Sequence, residues 1–319
     1  MYKRLGTGRG MQMCVVRTRS IVVAVVFVFL CIGVEASGQE FEFRFNPPDS
    51  VAFLRTVKNT KVQSMDSLES RTDVTEGTER IVITKTPDGY KVSSTALSSS
   101  MTRNGITVND PIMSQFLNMT VTYDLDAEGQ LLAVHGYDKV INKMKESLPP
   151  EAAKSLAAVL NEDALINKEA AEWNGRIGGF IGRTAKIGDV WTSTDEFPLP
   201  TGEAITSYSA TKFVEDVKCG SHDCISIQFW YNSDAGALQS LVGEMASDVA
   251  DSAGAPQLAP EISGASIIGE GERIIDPATM LIYSEKVSRT MKMQIEAPGR
   301  GKVMVTSQEV REMSFDYNK

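Results

Sequence analysis

Apolar and polar residues alternate at period two along much of this chain, the pattern of half-buried strands. Phe41, Phe43 and Phe45 occupy every second position until Pro47-Pro48 interrupts. Val51 to about Ser64 reads as a strand, and so does Glu79 to Lys85, around Ile81-Val82-Ile83. The turn Pro87-Asp88-Gly89 then sends the chain back from Tyr90. Val121, Tyr123 and Leu125 alternate into Asp126-Ala-Glu-Gly129, and Leu131 to His135 returns. Later, Ala204–Val217, Cys224–Asn232, Ser263–Ile275, Met280–Ala297 and Lys302–Tyr317 all read as strands. Several are twice the usual length of five or six residues. Long strands joined by short turns predict one large antiparallel sheet that must curl.

The period changes to that of a helix in three places. Tyr137–Ser147 sets Val140, Ile141 and Met144 on one face. After Pro149-Pro150, Glu151–Trp173 spaces Leu156, Val159, Leu160 and Ile166 helically, with a break at Asn161-Glu-Asp163. Asp234–Ala253 carries Leu238, Leu241, Val242, Met245 and Val249, a stripe at i, i+3, i+4, i+7 and i+11. That stripe either seals the sheet or forms a lid over an apolar groove. Met245 and the small residues Gly236, Ala237, Gly243 and Ala246 would let a lid shift. These five apolar residues are the expected ligand-binding positions, with block 137–173 as the opposite wall. A glycine-rich stretch, Asn174–Gly188, joins the two halves.

The N-terminus follows a different rule. Residues 1–20 hold five basic residues and no acid, Ile21–Val34 has no charge, and Ala36-Ser37-Gly38 follows. A basic region, an apolar stretch and small residues predict a secretory signal over 1–38. Fourteen helical residues rise about 21 Å, short of a ~30 Å hydrocarbon core, so no stable membrane span is expected after processing. Cys31 follows Phe29-Leu30, which is not a lipidation site. The expected product is exported, periplasmic or extracellular. Residues 39–319 form one α+β domain, read as two pseudo-repeats over 39–173 and 186–319.

Composition then narrows the function. The chain has 41 acidic and 32 basic residues, a net charge of −9, with 42% hydrophobic residues. Whole-chain disorder, collagen, a coiled-coil rod and a polytopic membrane protein are excluded. Removing the signal takes five basic residues and one acidic residue, so the remainder is more acidic still. No nucleic-acid partner is expected, and a neutral, cationic or apolar target is.

Cys14 and Cys31 leave with the signal, and Cys219-Gly-Ser-His-Asp-Cys224 remains. Export favours a disulfide between Cys219 and Cys224 at a hairpin tip. Zinc would need further ligands, and the only histidines are His135 and His222. Other chemistry fails on spacing. Asp124-x-Asp126-x-Glu128-Gly129 opens like a calcium loop, but its twelfth position is His135 instead of Glu. Gly182-Arg183-Thr184 lacks the earlier glycine of a phosphate loop. Ser209 and Lys212 stand three apart in a strand and so point to opposite faces. The expectation is therefore a protein without catalytic residues, metal or cofactor.

Glu128-Gly-Gln-Leu-Leu-Ala-Val-His-Gly136, Ile187-Gly-Asp-Val-Trp191 and the Asp276–Tyr283 hairpin resemble a bacterial envelope family of unknown function. Its architecture is similar to the curved half-barrels of LolA-like lipoprotein carriers, which cup acyl chains between a sheet and helices. The resemblance implies a half-barrel with helices packed on one face. Its implied partner is a lipid-like or acyl hydrophobic small molecule. The alternative is a structural component with a solid core that engages another envelope protein.

Overall fold

Residues 40–66, 68–109, 116–147, 162–198, 204–233, 236, 239–240, 243, 261–297 and 301–317 are described by the structure, a computed structural model. The alternating segments become strands that pair antiparallel throughout. In chain order they are β1 (Glu40–Glu42), β2 (Ser50–Met65), β3 (Arg71–Thr86), β4 (Gly89–Arg103), β5 (Ile106–Thr107), β6 (Thr120–Leu125) and β7 (Leu131–His135). Helices α1 (Tyr137–Ser147) and α2 (Glu162–Trp173) follow. The second set is β8 (Thr184–Lys186), β9 (Val190–Pro198), β10 (Ala204–Cys219), β11 (His222–Ser233), β12 (Glu261–Ile275), β13 (Ile282–Ala297) and β14 (Gly301–Asp316).

Among the described residues these make a 12-stranded sheet in the order β7-β6-β4-β3-β2-β14-β13-β12-β11-β10-β9, with β5 beside β4. The chain starts at the β2–β14 seam, steps outward to β7, crosses to the far edge at β9, and steps back to the seam. The edges β7 and β9 do not pair, so the sheet is open.

Register shows why the strands run so long. In β13 the polar residues Lys286, Ser288, Thr290, Lys292 and Gln294 share one parity. Val287, Met291, Met293 and Ile295 take the other. β14 keeps the same phase, with Met313 opposite Glu285 and Phe315 opposite Arg55 of β2. A sheet amphipathic over this length needs one face covered. The face that continues Phe53, Phe315 and Met313 is the inner one.

The core gathers at one end of that face. Phe43 and Phe213 are fully buried, as are Ile225, Ile227 and Ile275. The extended segment 41–45 runs across this end, held by Phe43 N–H to the Arg183 carbonyl (2.9 Å), Gly182 N–H to the Phe43 carbonyl (2.8 Å) and Arg44 N–H to the Pro277 carbonyl (2.9 Å). Phe43 meets Phe180, Trp191 and Phe213 at 5.5–5.9 Å between ring centres. Phe45 meets Tyr90 at 5.1 Å and Trp173 at 5.8 Å. Burying such aromatics stabilises this end by ~25 cal/mol per Å² of apolar surface. Gly129, with φ +91°, is required here, because a Cβ would lie 2.3 Å from the Phe45 ring.

Most predicted strands and helix 137–147 appear where the alternation placed them. The structure adds β9, and β3 and β4 extend well past their apolar cores into polar sequence. Cys219 and Cys224 are joined, with Cα atoms 5.9 Å apart, across the turn at Gly220-Ser221. Helix 234–253, with Leu238, Leu241, Val242, Met245 and Val249, lies outside the described residues apart from isolated positions. No helix among the described residues is long and apolar enough to cross a membrane.

Candidate ligand cavity

A cavity of about 400 Å³ lies between α2, with the turn after it, and the inner face of β2, β3, β4, β6 and β14. Its floor is apolar. Phe53 stands opposite Ile81, and Ile83 opposite Val92, so three strands present one greasy patch. Phe315 and Tyr317 continue it across the seam, with ring centres 6.0 and 4.6 Å from Phe53. Tyr317 donates to the Ile282 carbonyl at 2.7 Å, which fixes its ring against the wall.

The cover is fastened at its C-terminal end. Trp173 Nε1 donates to the Gly129 carbonyl (3.1 Å), and Gln130 Nε2 to the Gly178 carbonyl (3.3 Å). The helix then widens, with Gly179 N–H bonding the Asn174 carbonyl five residues back at 2.8 Å. That turn swings Arg176 inward. Its Nη2 and Nε reach Glu285 Oε1 at 3.0 and 3.2 Å, while Arg273 Nε reaches Glu285 Oε2 at 2.7 Å. Arg273 also donates to the Arg176 carbonyl at 2.9 Å. The side chains of Glu285 and Arg273 are only 3% and 5% exposed. Burial pushes the Glu285 carboxyl up, but Arg273 and Arg176 outweigh it and hold the group below the usual carboxylate range. Removing one member would strand buried charge, a loss of about 3–5 kcal/mol.

Above the greasy floor the cavity wall is ionic. Arg55 pairs with Glu79, which also accepts from Ser94 Oγ at 2.9 Å. Glu169 of α2 accepts from Tyr123 Oη at 2.8 Å and from Tyr137. Burial first, and then the Glu169 carboxylate, raise both phenols far above their ordinary value. Lys168 reaches Glu172 at 3.2 Å. Burial would raise Glu172, yet Lys168, Arg176 and Arg311 together keep it low. The interior is therefore amphipathic, an apolar floor under an ionic wall.

Tyr137, Lys168, Glu169, Glu172 and Trp173 belong to block 137–173, the expected opposite wall, while the five expected ligand-binding residues lie outside the described ones and the strand residues of the cavity were not named in advance. One signal was present. Arg311 and Glu309 share the parity of Met313 and Phe315, and Arg55 that of Phe53. Charges in phase with a core face mark an inward polar group. The disulfide sits at a hairpin tip and does not line the cavity. Of the acidic turn at 124–128, Asp126 Oδ1 accepts from Glu128 and Gln130 N–H (3.1 and 2.8 Å), and Asp124 faces His135 at 2.9 Å. These contacts tie the turn. A second hollow, of about 500 Å³, spans β10–β13 beside Trp230 and Tyr208, with Glu270 as its charged member.

No protein-family model and no curated protein matches the sequence. Solved structures superpose at a distance. Lipovitellin does so with TM-score 0.42 and 9% identity over 86% of this chain, which spans about a quarter (26%) of the lipovitellin chain. A Bacteroides fragilis protein described as exported, with a YmcC-like fold, gives 0.20 and 9% over 85% of this chain and 98% of its own. DynF, from the dynemicin biosynthesis pathway of Micromonospora chersina, gives 0.18 and 10% over 89% and 88%. All three scores fall below 0.5.

Proposed function

We propose that the protein is a non-catalytic binding module for a lipid-like or acyl ligand, working outside the cytoplasm once residues 1–38 are removed. The apolar part of the ligand occupies the cavity under α2. The observation that carries this reading is the cavity itself. Its volume of about 400 Å³ lies low in the ~300–1,000 Å³ range of small-molecule sites, and its floor is made of large apolar side chains. Affinity comes from hydrophobic burial, and no bond is made or broken. The stripe Leu238, Leu241, Val242, Met245 and Val249 is proposed as a further cover. A solid-cored structural component is the weaker alternative, since a solid core leaves this space unexplained.

The test is organic extraction of protein purified without detergent, followed by mass spectrometry and by displacement of a fluorescent apolar probe with fatty acids. Bound acyl material, or stoichiometric displacement that weakens in I81W, supports the reading. Clean extracts with no displacement overturn it.

A further inference from the structure

The reading above leaves the head group of the ligand open, and the ionic wall addresses it. Its cations are Arg55, Lys168, Arg176 and Arg311, and its anions are Glu79, Glu169 and Glu172. Most are already engaged. Arg55 is on Glu79, Lys168 on Glu172, and Arg176 on Glu285 from outside the cavity. Glu169 is taken by two tyrosine hydroxyls.

Arg311 is different. Its side chain is 34% exposed, and its nearest carboxylate oxygen, on Glu172, is 3.9 Å away, beyond hydrogen-bond range. Among the described residues its five N–H donors have no protein acceptor within hydrogen-bond range. Asn59 stands opposite it on β2, and its Oδ1 is also buried without a partner. That oxygen is neutral and satisfies one donor at most. Arg55, four residues along β2 from Asn59, has a buried Nε with no partner either. Two guanidiniums on one wall thus carry unused donors, and for the buried Arg55 Nε leaving it unmet costs about 1–3 kcal/mol.

The apolar floor lies along the same strand. Arg311 and Phe315 share a face four residues apart, a span of ~13 Å at strand rise. A single chain with a polar end spans that distance, and the modest volume disfavours two chains.

We propose that the ligand is a single-chain amphiphile with an anionic oxygen head, seated on Arg311, with its tail over Phe53, Ile81 and Phe315. This rests on the binding-module reading. It also departs from the composition, because an acidic surface would by itself disfavour an anion. Any preference for one must therefore come from the wall. A carboxylate matches the planar guanidinium fork, and a phosphate monoester presents the same oxygens.

The experiment measures binding of dodecanoate, dodecyl phosphate and dodecanol to the signal-free chain, by displacement of a fluorescent apolar probe, in wild type, R311Q and R311K. Far-UV circular dichroism and melting confirm that each variant folds. The expected result is that one or both anions bind at least tenfold more tightly than the alcohol. R311Q then lowers that ratio at least fivefold, and R311K retains more of it. The anion with the larger ratio identifies the head. Equal binding of all three, or a ratio unchanged in R311Q, overturns the head-group assignment while the cavity reading stands. Binding of none overturns both.

Discussion

The two halves of the sheet solve the same problem in different ways. Each presents an inner face that alternation has made half apolar. Across β10–β13 part of that face is filled from within, by rings laid over glycines. Phe229 lies over Gly271 and Tyr231 over Gly269, so closely that a Cβ on either glycine would stand 2.3 and 2.2 Å from a ring carbon. Across β2–β6 the corresponding positions are Phe53, Ile81 and Ser94, and the space above them stays open under α2. Glycines that admit rings make a packed wall, and medium side chains under a bracing helix leave a cavity. Both halves share an inward ladder of ion pairs, Arg55–Glu79 in one and Arg273–Glu285 in the other.

The largest effect should come from the triad at Glu285, which ties the turn after α2 to β12 and β13. E285A strands Arg273 and Arg176, and we expect a loss of about 3–5 kcal/mol in urea unfolding. A loss under about 1 kcal/mol would mean that the triad relaxes into water. Next comes volume. G271V forces the Phe229 ring and the Lys286 carbonyl, 2.7 Å from the new Cβ position, to give way. The expected cost is near the top of the ~1–3 kcal/mol overpacking range. A96L adds similar bulk to the cavity wall. It should change stability by less than about 1 kcal/mol while weakening ligand uptake. Equal costs at both sites would erase the distinction between a filled half and an open one.

Acid should act on the shared ladder. Glu285 and Glu172 are held low in the folded state by neighbouring cations, against the burial that raises them. Their stabilisation is therefore complete above the unfolded value of about 4.3 and is lost as pH falls through the depressed folded values. Melting temperature should drop over that acid window, and less steeply in E285Q than in wild type. The hairpin ends should matter less than the triad. Opening the Cys219–Cys224 loop in C219S/C224S should cost about 2 kcal/mol. D126A removes the acceptor for two turn N–H groups at the end of β6 and should cost about 1 kcal/mol.

Much of the filled half was legible in advance. Met291, Met293 and Ile295 alternate cleanly with lysine and glutamine, and Cys219-x4-Cys224 implies its own turn. Helix 137–147 was equally clear. The cavity was not legible, for two reasons. Arg55, Glu79 and Arg311 look like ordinary surface residues until the register aligns them with Phe53 and Phe315. The polar ends of β3 and β4, such as Thr72–Thr78 and Ser98–Arg103, pair because their neighbours pair, and no local propensity marks them. Empty space is a property of three strands and a helix together, and no single segment encodes it.

Photo-crosslinking with a fatty acid carrying a diazirine on its tail compares the two halves directly. After ultraviolet exposure and proteolysis, the label should fall on peptides from 45–55, 79–96, 169–177 and 311–317, and excess dodecanoate should suppress it. Label confined to 204–233 and 261–275, or label that dodecanoate does not displace, would contradict an open first half.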